Sequence, residues 1–171
     1  MLHIYYGNGK GKTTAAIGLA VRASGACLKT AVFQFLKNGS SSEISVLRNI
    51  ENIDVICCEK CSKFTFLMND KELSAVTEEH NEMLRRAEKI LIDGDVQLIV
   101  LDEFLDAYNK KLIDTELADK IIDNMISKCE VVMTGRAPSD KLIEAADYLT
   151  EMKAVKHPYN KGISARKGIE Y

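Results

Sequence analysis

Short, almost wholly apolar runs alternate along the chain with segments in which apolar residues return every three or four positions. The runs predict strands at His3 to Tyr6, Thr30 to Leu36, Ile53 to Cys58, Gln97 to Leu101 and Glu130 to Thr134, with a weaker pair at Tyr148 to Met152 and Ala154 to His157. Unbroken apolarity marks strands covered on both faces, as in a parallel sheet. Between them, Thr13 to Ser24 reads as an alanine-rich helix, with Gly25 suited to a left-handed end. Leu73, Val76, Met83, Leu84, Ala87, Ile90 and Leu91 trace one stripe of a helix from Asp70 to about Ile92, stopped by Gly94. Leu117 to Ile126 repeats the pattern after Asp114, a capping residue, and Pro138, Ser139 and Asp140 start another short helix. Asn38 to Ser42 reads as a flexible loop. Strand and helix in alternation predict a three-layer α/β fold around a mostly parallel sheet.

The length of 171 residues suits one domain, residues 1–171, with one core. Its 46% apolar and 28% charged residues, with 2 prolines, exclude a disordered chain. A net charge of −2 gives no bulk attraction to nucleic acid or an anionic membrane, so neither is expected as a partner. Without a membrane-spanning run or a leader-like start, a cytoplasmic location is expected. The five cysteines, odd in number, are expected to be reduced.

Directly after the first strand comes Gly7-Asn8-Gly9-Lys10-Gly11-Lys12-Thr13-Thr14, which leads into the alanine-rich helix. Glycines let successive N–H groups face one anion, the helix N-terminus adds its positive end, Lys12 brings a point charge and Thr13 offers a hydroxyl to Mg²⁺. The usual spacing G-x-x-x-x-G-K-[ST] would need glycine at position 6, where Tyr6 stands, so the loop is a variant. Its metal partner is expected at another strand's end. Asp102 and Glu103, after Leu98 to Leu101, fit that place, with an acidic helix cap as the plainer reading. Thr13, Asp102 and Glu103 are hard oxygen donors suited to Mg²⁺ or Mn²⁺. Arg136, following a strand, is expected to reach phosphate, with Asn8 and Lys10 adding contacts in the loop, a solvated arginine at the helix start before Ala137 and Pro138 being the equal alternative.

Cys58-Glu59-Lys60-Cys61 has no second cysteine pair to complete a zinc site, and His80, on the apolar stripe of the long helix, reads as a satisfied core residue. Phe64 and Phe66, at i and i+2, face one side if extended, or are ordinary core aromatics. Lys153 to Tyr171 carries five basic residues against the acid Glu170, ordinarily the mark of a solvated tail.

Several segments together resemble the ATP:corrinoid adenosyltransferases of the CobA/BtuR type: GNGKGKTTAA at 7–16, VFQFLK at 32–37, KFTF at 63–66, LDE at 101–103, TGRAP at 134–138, and the run from Ala146 to Tyr171. The resemblance implies a P-loop fold and transfer of the 5′-deoxyadenosyl group of ATP to the cobalt of a reduced corrinoid, with tripolyphosphate released. Lys12 would then neutralise a leaving group, and cobalt would supply the nucleophile. It further implies that Phe64 and Phe66 press on the lower corrin face and ease reduction of Co(II). In some relatives a tryptophan stands at the position of Phe66. It puts His157, Tyr159 and Arg166 near the ligands, and it implies a homodimer and a transient electron-donating reductase. Larger relatives cover the nucleotide with a segment before the loop, whereas six residues precede Gly7 here, so either ATP is expected to be less enclosed, or a dimer partner or the Asn38 to Ser42 loop to exclude water. A nucleoside kinase of the thymidine kinase type, or a nucleotide- and corrinoid-binding module without turnover, are the alternatives.

Overall fold

The computed structural model describes residues 1–94 and 96–171. Among the described residues six strands, β1 (Leu2–Tyr6), β2 (Thr30–Gln34), β3 (Ile53–Cys57), β4 (Leu98–Asp102), β5 (Glu130–Gly135) and β6 (Tyr148–Glu151), form one sheet in the order β3-β2-β4-β5-β1-β6. Every pairing is parallel, so all strand ends that follow chain direction lie along one edge. The helices are α1 (Lys12–Gly25), α2 (Ser42–Leu47), α3 (Asp70–Asp93), α4 (Phe104–Asn109), α5 (Thr115–Ile126) and α6 (Asp140–Ala145).

Side chains alternate across the sheet with period two and feed two cores. Val32, Leu98, Val100 and Val132 pack with Ala16, Ala20 and Ala23 of α1 and with Ile44 and Leu47 of α2. Ala31, Phe33, Ile99, Leu101, Val131 and Met133 face the other way, against α3, α4 and α5. The alanine face of α1 brings that helix close to the sheet, which fixes the loop preceding it. α3 begins with a reciprocal cap, in which Asn69 accepts from the Glu72 N–H and Glu72 accepts from the Asn69 N–H. Asp114 caps α5 by accepting from Glu116 and Leu117, and Ser139 caps α6.

Three expectations change. Residues Ala154 to His157 form no strand. The preceding Met152 is drawn onto the glycine loop, Val155 N–H turns back to Lys153, and Pro158 opens a 3-10 turn, Pro158–Lys161. The loop expected at Asn38 to Ser42 holds up to Ser41, and Ser42 instead opens α2, a six-residue helix too short for a clear helical period. Gly25 is the last residue of α1, and Cys27 takes the left-handed position at φ 61° instead, because the Ala26, Cys27 and Leu28 N–H groups fold back onto Ala23 and Ser24.

Candidate functional site

The loop Gly7 to Gly11 crosses from β1 to α1 on the edge where the strands end. Gly7 and Gly11 are left-handed, at φ 113° and 110°, which suits glycine alone. Gly9 serves clearance: a Cβ there would lie 2.6 Å from the Met152 carbonyl oxygen. The Gly7 and Gly9 N–H groups donate to Arg136 O at 3.0 Å and Met152 O at 2.7 Å, so these two amides do not face an anion as the loop pattern suggested. Anion-facing donors fall instead to the first turn of α1, whose N–H groups have no intrahelical acceptor. Lys12 Nζ donates to Gly9 O at 2.8 Å, which holds the ammonium over the loop.

Asp102, fully buried at the end of β4, is the hub. Its Oδ1 accepts from Thr13 Oγ1 at 2.8 Å and Thr134 Oγ1 at 2.7 Å, and its Oδ2 accepts from Gln34 Nε2 and Lys37 Nζ, each at 3.3 Å. Lys37 Nζ also lies 3.5 Å from Glu103 Oε1. Glu103 is the N-cap residue of α4, but its side chain makes no cap bond. Its backbone is left-handed at φ 60°, and its N–H donates to Thr134 Oγ1 at 2.9 Å. The carboxylate is therefore turned to the site, not spent on capping. Thr13, Asp102 and Glu103 thus come together as expected, joined by Gln34, Lys37 and Thr134, which sequence reasoning did not select.

Thr13, Asp102 and Glu103 form an all-oxygen donor set, which fits Mg²⁺ or Mn²⁺. Beside them Gln34 Oε1 is buried without a hydrogen-bond partner, an acceptor awaiting a donor or a hydrated cation.

Burial disfavours the Lys37 ammonium, but Asp102 and Glu103 outweigh it and leave the pKa above the ordinary lysine value. On the lysine side the stability from this pairing is whole below that ordinary value and fades as pH climbs through the folded one, the low-pH limit being set by the carboxyls. For Glu103, burial first and then the Asp102 charge push the carboxyl above the usual glutamate range, so it sheds its charge earlier as pH falls. Lys37→Met leaves both carboxylates unpaired. A loss of about 2 kcal/mol is expected at about pH 8, the partial exposure of Lys37 moderating it. Because the Glu103 carboxyl is raised, the loss shrinks as pH falls into the acidic range, which thermal unfolding at neutral and at mildly acidic pH will check.

Arg136, at the end of β5, is exposed and stands next to the loop through the Gly7 contact, while its N–H donates to Asp106 Oδ2 at 2.9 Å. Lys10 Nζ donates to Ile169 O at 2.6 Å and Ser42 Oγ to Tyr171 O at 3.1 Å, so the basic tail is folded over the site rather than solvated at random. A cavity of about 380 Å³ lies between Thr13, Thr14, Lys37, Ser42 and residues 168–171. A second, of about 420 Å³, is walled by Lys10, Lys153, Lys156, His157, Tyr159 and Arg166. A larger one, about 710 Å³, opens at the opposite end of the strands beside Thr30, away from these groups.

Phe64 and Phe66 are not core aromatics: they are 71% and 79% exposed. A 3-10 turn, Thr65–Leu67, replaces the extended segment, yet the rings still stack, with centroids 5.4 Å apart. Lys110, just after α4, donates to Thr65 Oγ1 at 3.3 Å, and Lys63 pairs with Glu72 at 2.8 Å. An exposed aromatic platform is thus fixed beside the helix that Glu103 starts.

A glycine-rich loop running from strand to helix, facing an acid at the end of another strand of an all-parallel sheet, defines a P-loop NTPase-like protein. Among the described residues no helix is long and apolar enough to cross a membrane. The model of the family described as ATP:corrinoid adenosyltransferase BtuR/CobO/CobP matches residues 1–171, and the chain belongs to this family. A corrinoid adenosyltransferase of Pseudomonas aeruginosa is 34% identical over 100% of this chain and 83% of its own length. One of Escherichia coli K12 is 31% identical over 98% and 84%. One of Salmonella typhimurium, with the name CobA, is 30% identical over 98% and 84%.

Proposed function

We propose that this chain, acting as one unit over residues 1–171, transfers the 5′-deoxyadenosyl group of ATP to the cobalt of a reduced corrinoid such as cob(I)alamin, releasing tripolyphosphate. The observation that carries the reading is the pairing of Thr13 with Asp102, which aligns a phosphate loop and an acidic strand end in a member of this family. In the transfer the cobalt(I) electron pair forms the bond to C5′ while the C5′–O5′ bond breaks and its electrons leave with the triphosphate. No protein nucleophile is needed. The protein's part is to hold C5′ in line with cobalt and to meet charge gathering on the departing oxygens.

Lys12 and the N–H groups opening α1 bind the triphosphate, with Asn8, Lys10, Thr14 and Arg136 at its margin. Thr13, Asp102 and Glu103 hold Mg²⁺ or Mn²⁺, which when bound neutralises phosphate charge. Lys37 then has two roles to exchange, balancing the carboxylates in the free protein and approaching phosphate when a cation takes its place. The residues 168–171 and Ser42 cover the loop, which supports water exclusion by the tail together with α2's start.

Phe64 and Phe66 form the platform against the lower corrin face, favouring loss of the axial ligand and so easing reduction of Co(II). Their exposure supports this, since an apolar pair left uncovered has surface to bury on a flat macrocycle. For Phe66→Ala, activity with chemically pre-reduced Co(I) should survive better than activity starting from Co(II), by about tenfold. Equal losses in both assays would remove the role in reduction. Family likeness extends the proposal to a homodimer served by a transient electron-donating reductase, and sedimentation of the purified chain tests the dimer. The activity is tested by incubating the protein with ATP, Mg²⁺ and reduced cobalamin. A light-sensitive alkylcobalt spectrum is expected, and its absence would overturn the assignment.

A further inference from the structure

Away from the phosphate loop, three buried side chains converge that the sequence spacing did not join. Cys58 and Cys61 lie just past β3, and His80 lies in the middle of α3. Their ligand atoms all fall within 4.8 Å of one another, and Cys61 Sγ is 3.8 Å from His80 Nε2. For a tetrahedral zinc ion the sulfur-to-nitrogen edge is about 3.6 Å and the sulfur-to-sulfur edge about 3.8 Å, so little movement separates this cluster from a ligand set.

The histidine is already in the tautomer a metal needs. A carbonyl oxygen only accepts, so the 2.8 Å contact between His80 Nδ1 and Leu112 O places the proton on Nδ1 and leaves the Nε2 lone pair facing the thiols. Glu79 is next in the chain. Its Oε2 lies 3.0 Å from Cys58 Sγ, and its carboxylate is fixed by the N–H groups of Glu59 and Lys60, at 2.9 and 2.8 Å, within the turn between the cysteines. Cys58 and His80 are wholly buried and Cys61 is 6% exposed. Two thiolates and a neutral imidazole cancel the charge of a dication, so with water as fourth ligand the site is neutral, and with the Glu79 carboxylate it keeps one negative charge that the Glu59 and Lys60 N–H groups meet.

We propose that Cys58, Cys61 and His80 bind a structural Zn²⁺ ion, with Glu79 or a water molecule it holds as the fourth ligand. Sulfur and imidazole donors select zinc over magnesium, so this site is chemically distinct from the oxygen set at Thr13 and Asp102. Binding converts both thiols to thiolates and releases their two protons to solvent. The ion fastens the root of the aromatic segment, since Cys61 precedes Phe64 by three residues, to α3 and, through His80, to the loop at Leu112.

The test uses the untagged full chain, expressed with zinc supplied, dialysed, and assayed for metal by mass spectrometry and for thiols by intact mass. One zinc per chain is expected. In the zinc-stripped protein, Co²⁺ should give thiolate-to-metal charge transfer and tetrahedral d–d bands, lost on adding zinc. Cys61→Ser and His80→Gln should each weaken zinc binding at least about 100-fold, while Cys129→Ser, altered at a thiol elsewhere, binds as before. Because the cobalt spectrum is read on the unaltered chain, a variant that fails to fold does not decide the matter. Substoichiometric zinc with no thiolate–cobalt bands, a mass two hydrogens short from a Cys58–Cys61 disulfide, or full affinity in Cys61→Ser would overturn the site.

Discussion

Replacing Asp102 with alanine is expected to destabilise the protein by about 3–5 kcal/mol and to abolish turnover. The carboxylate is fully buried and accepts from Thr13, Thr134, Gln34 and Lys37 at once. Alanine returns none of these bonds. It leaves the Lys37 ammonium without its nearest charge and leaves the Gln34 amide, already lacking a partner at Oε1, wholly unsatisfied. Asp102→Asn keeps the shape but removes the charge, and should recover part of the stability and little of the activity. Chemical denaturation of the three proteins measures the first, and adenosylation assays the second. A variant Asp102→Ala within about 1 kcal/mol of the parent would mean that the hub is not a structural unit.

Lys12→Ala should leave stability within about 0.5 kcal/mol of the parent, because Lys12 opens α1 at the surface and its side chain donates in the free protein to the Gly9 carbonyl of the preceding loop. Its effect should fall on chemistry, lowering kcat/KM for ATP about 10²–10³-fold by withdrawing a positive charge from the departing triphosphate. If Lys12 meets charge that grows during the reaction, the loss appears in kcat and not only in KM. Steady-state kinetics across ATP concentrations separate the two, and a pure rise in KM would assign Lys12 to ground-state binding alone.

What the sequence makes legible here is local. Three glycines, a lysine and a threonine between an apolar run and an alanine-rich helix announce the loop, because all of its chemistry lies in eight consecutive residues. Asp102 is legible for a similar reason, as the first acid after a buried strand. Gln34, Lys37 and Thr134 escape because they meet Asp102 only through the pairing register, with Gln34 beside Asp102 and Leu101 beside Met133. That register is set across the sheet and leaves no periodicity in the chain. The available signal is that each falls in or just after the last residues of a predicted strand, at the edge where ligands gather.

The same distinction separates the remaining outcomes. Phe64 and Phe66 are undecided from spacing, since exposed and core aromatics share it, and what settles them is the absence of covering side chains. His80 does lie on the apolar stripe and is satisfied by Leu112, yet the stripe hides the two thiols brought against it from about twenty residues upstream. The roles of Gly7 and Gly9 shift because Met152, far along the chain, runs across the loop and takes space that only glycine leaves. Residues Ala154 to His157 fail as a strand for the matching reason, the chain being diverted there toward the loop.

The claim at the centre is that the loop grips a leaving group, not a phosphoryl group under attack. Phosphorus-31 NMR of a turnover mixture containing the protein, ATP, Mg²⁺ and reduced cobalamin tests it most directly. The account predicts tripolyphosphate appearing one for one with alkylcobalt, whereas ADP, or alkylcobalt formed without tripolyphosphate, would contradict it.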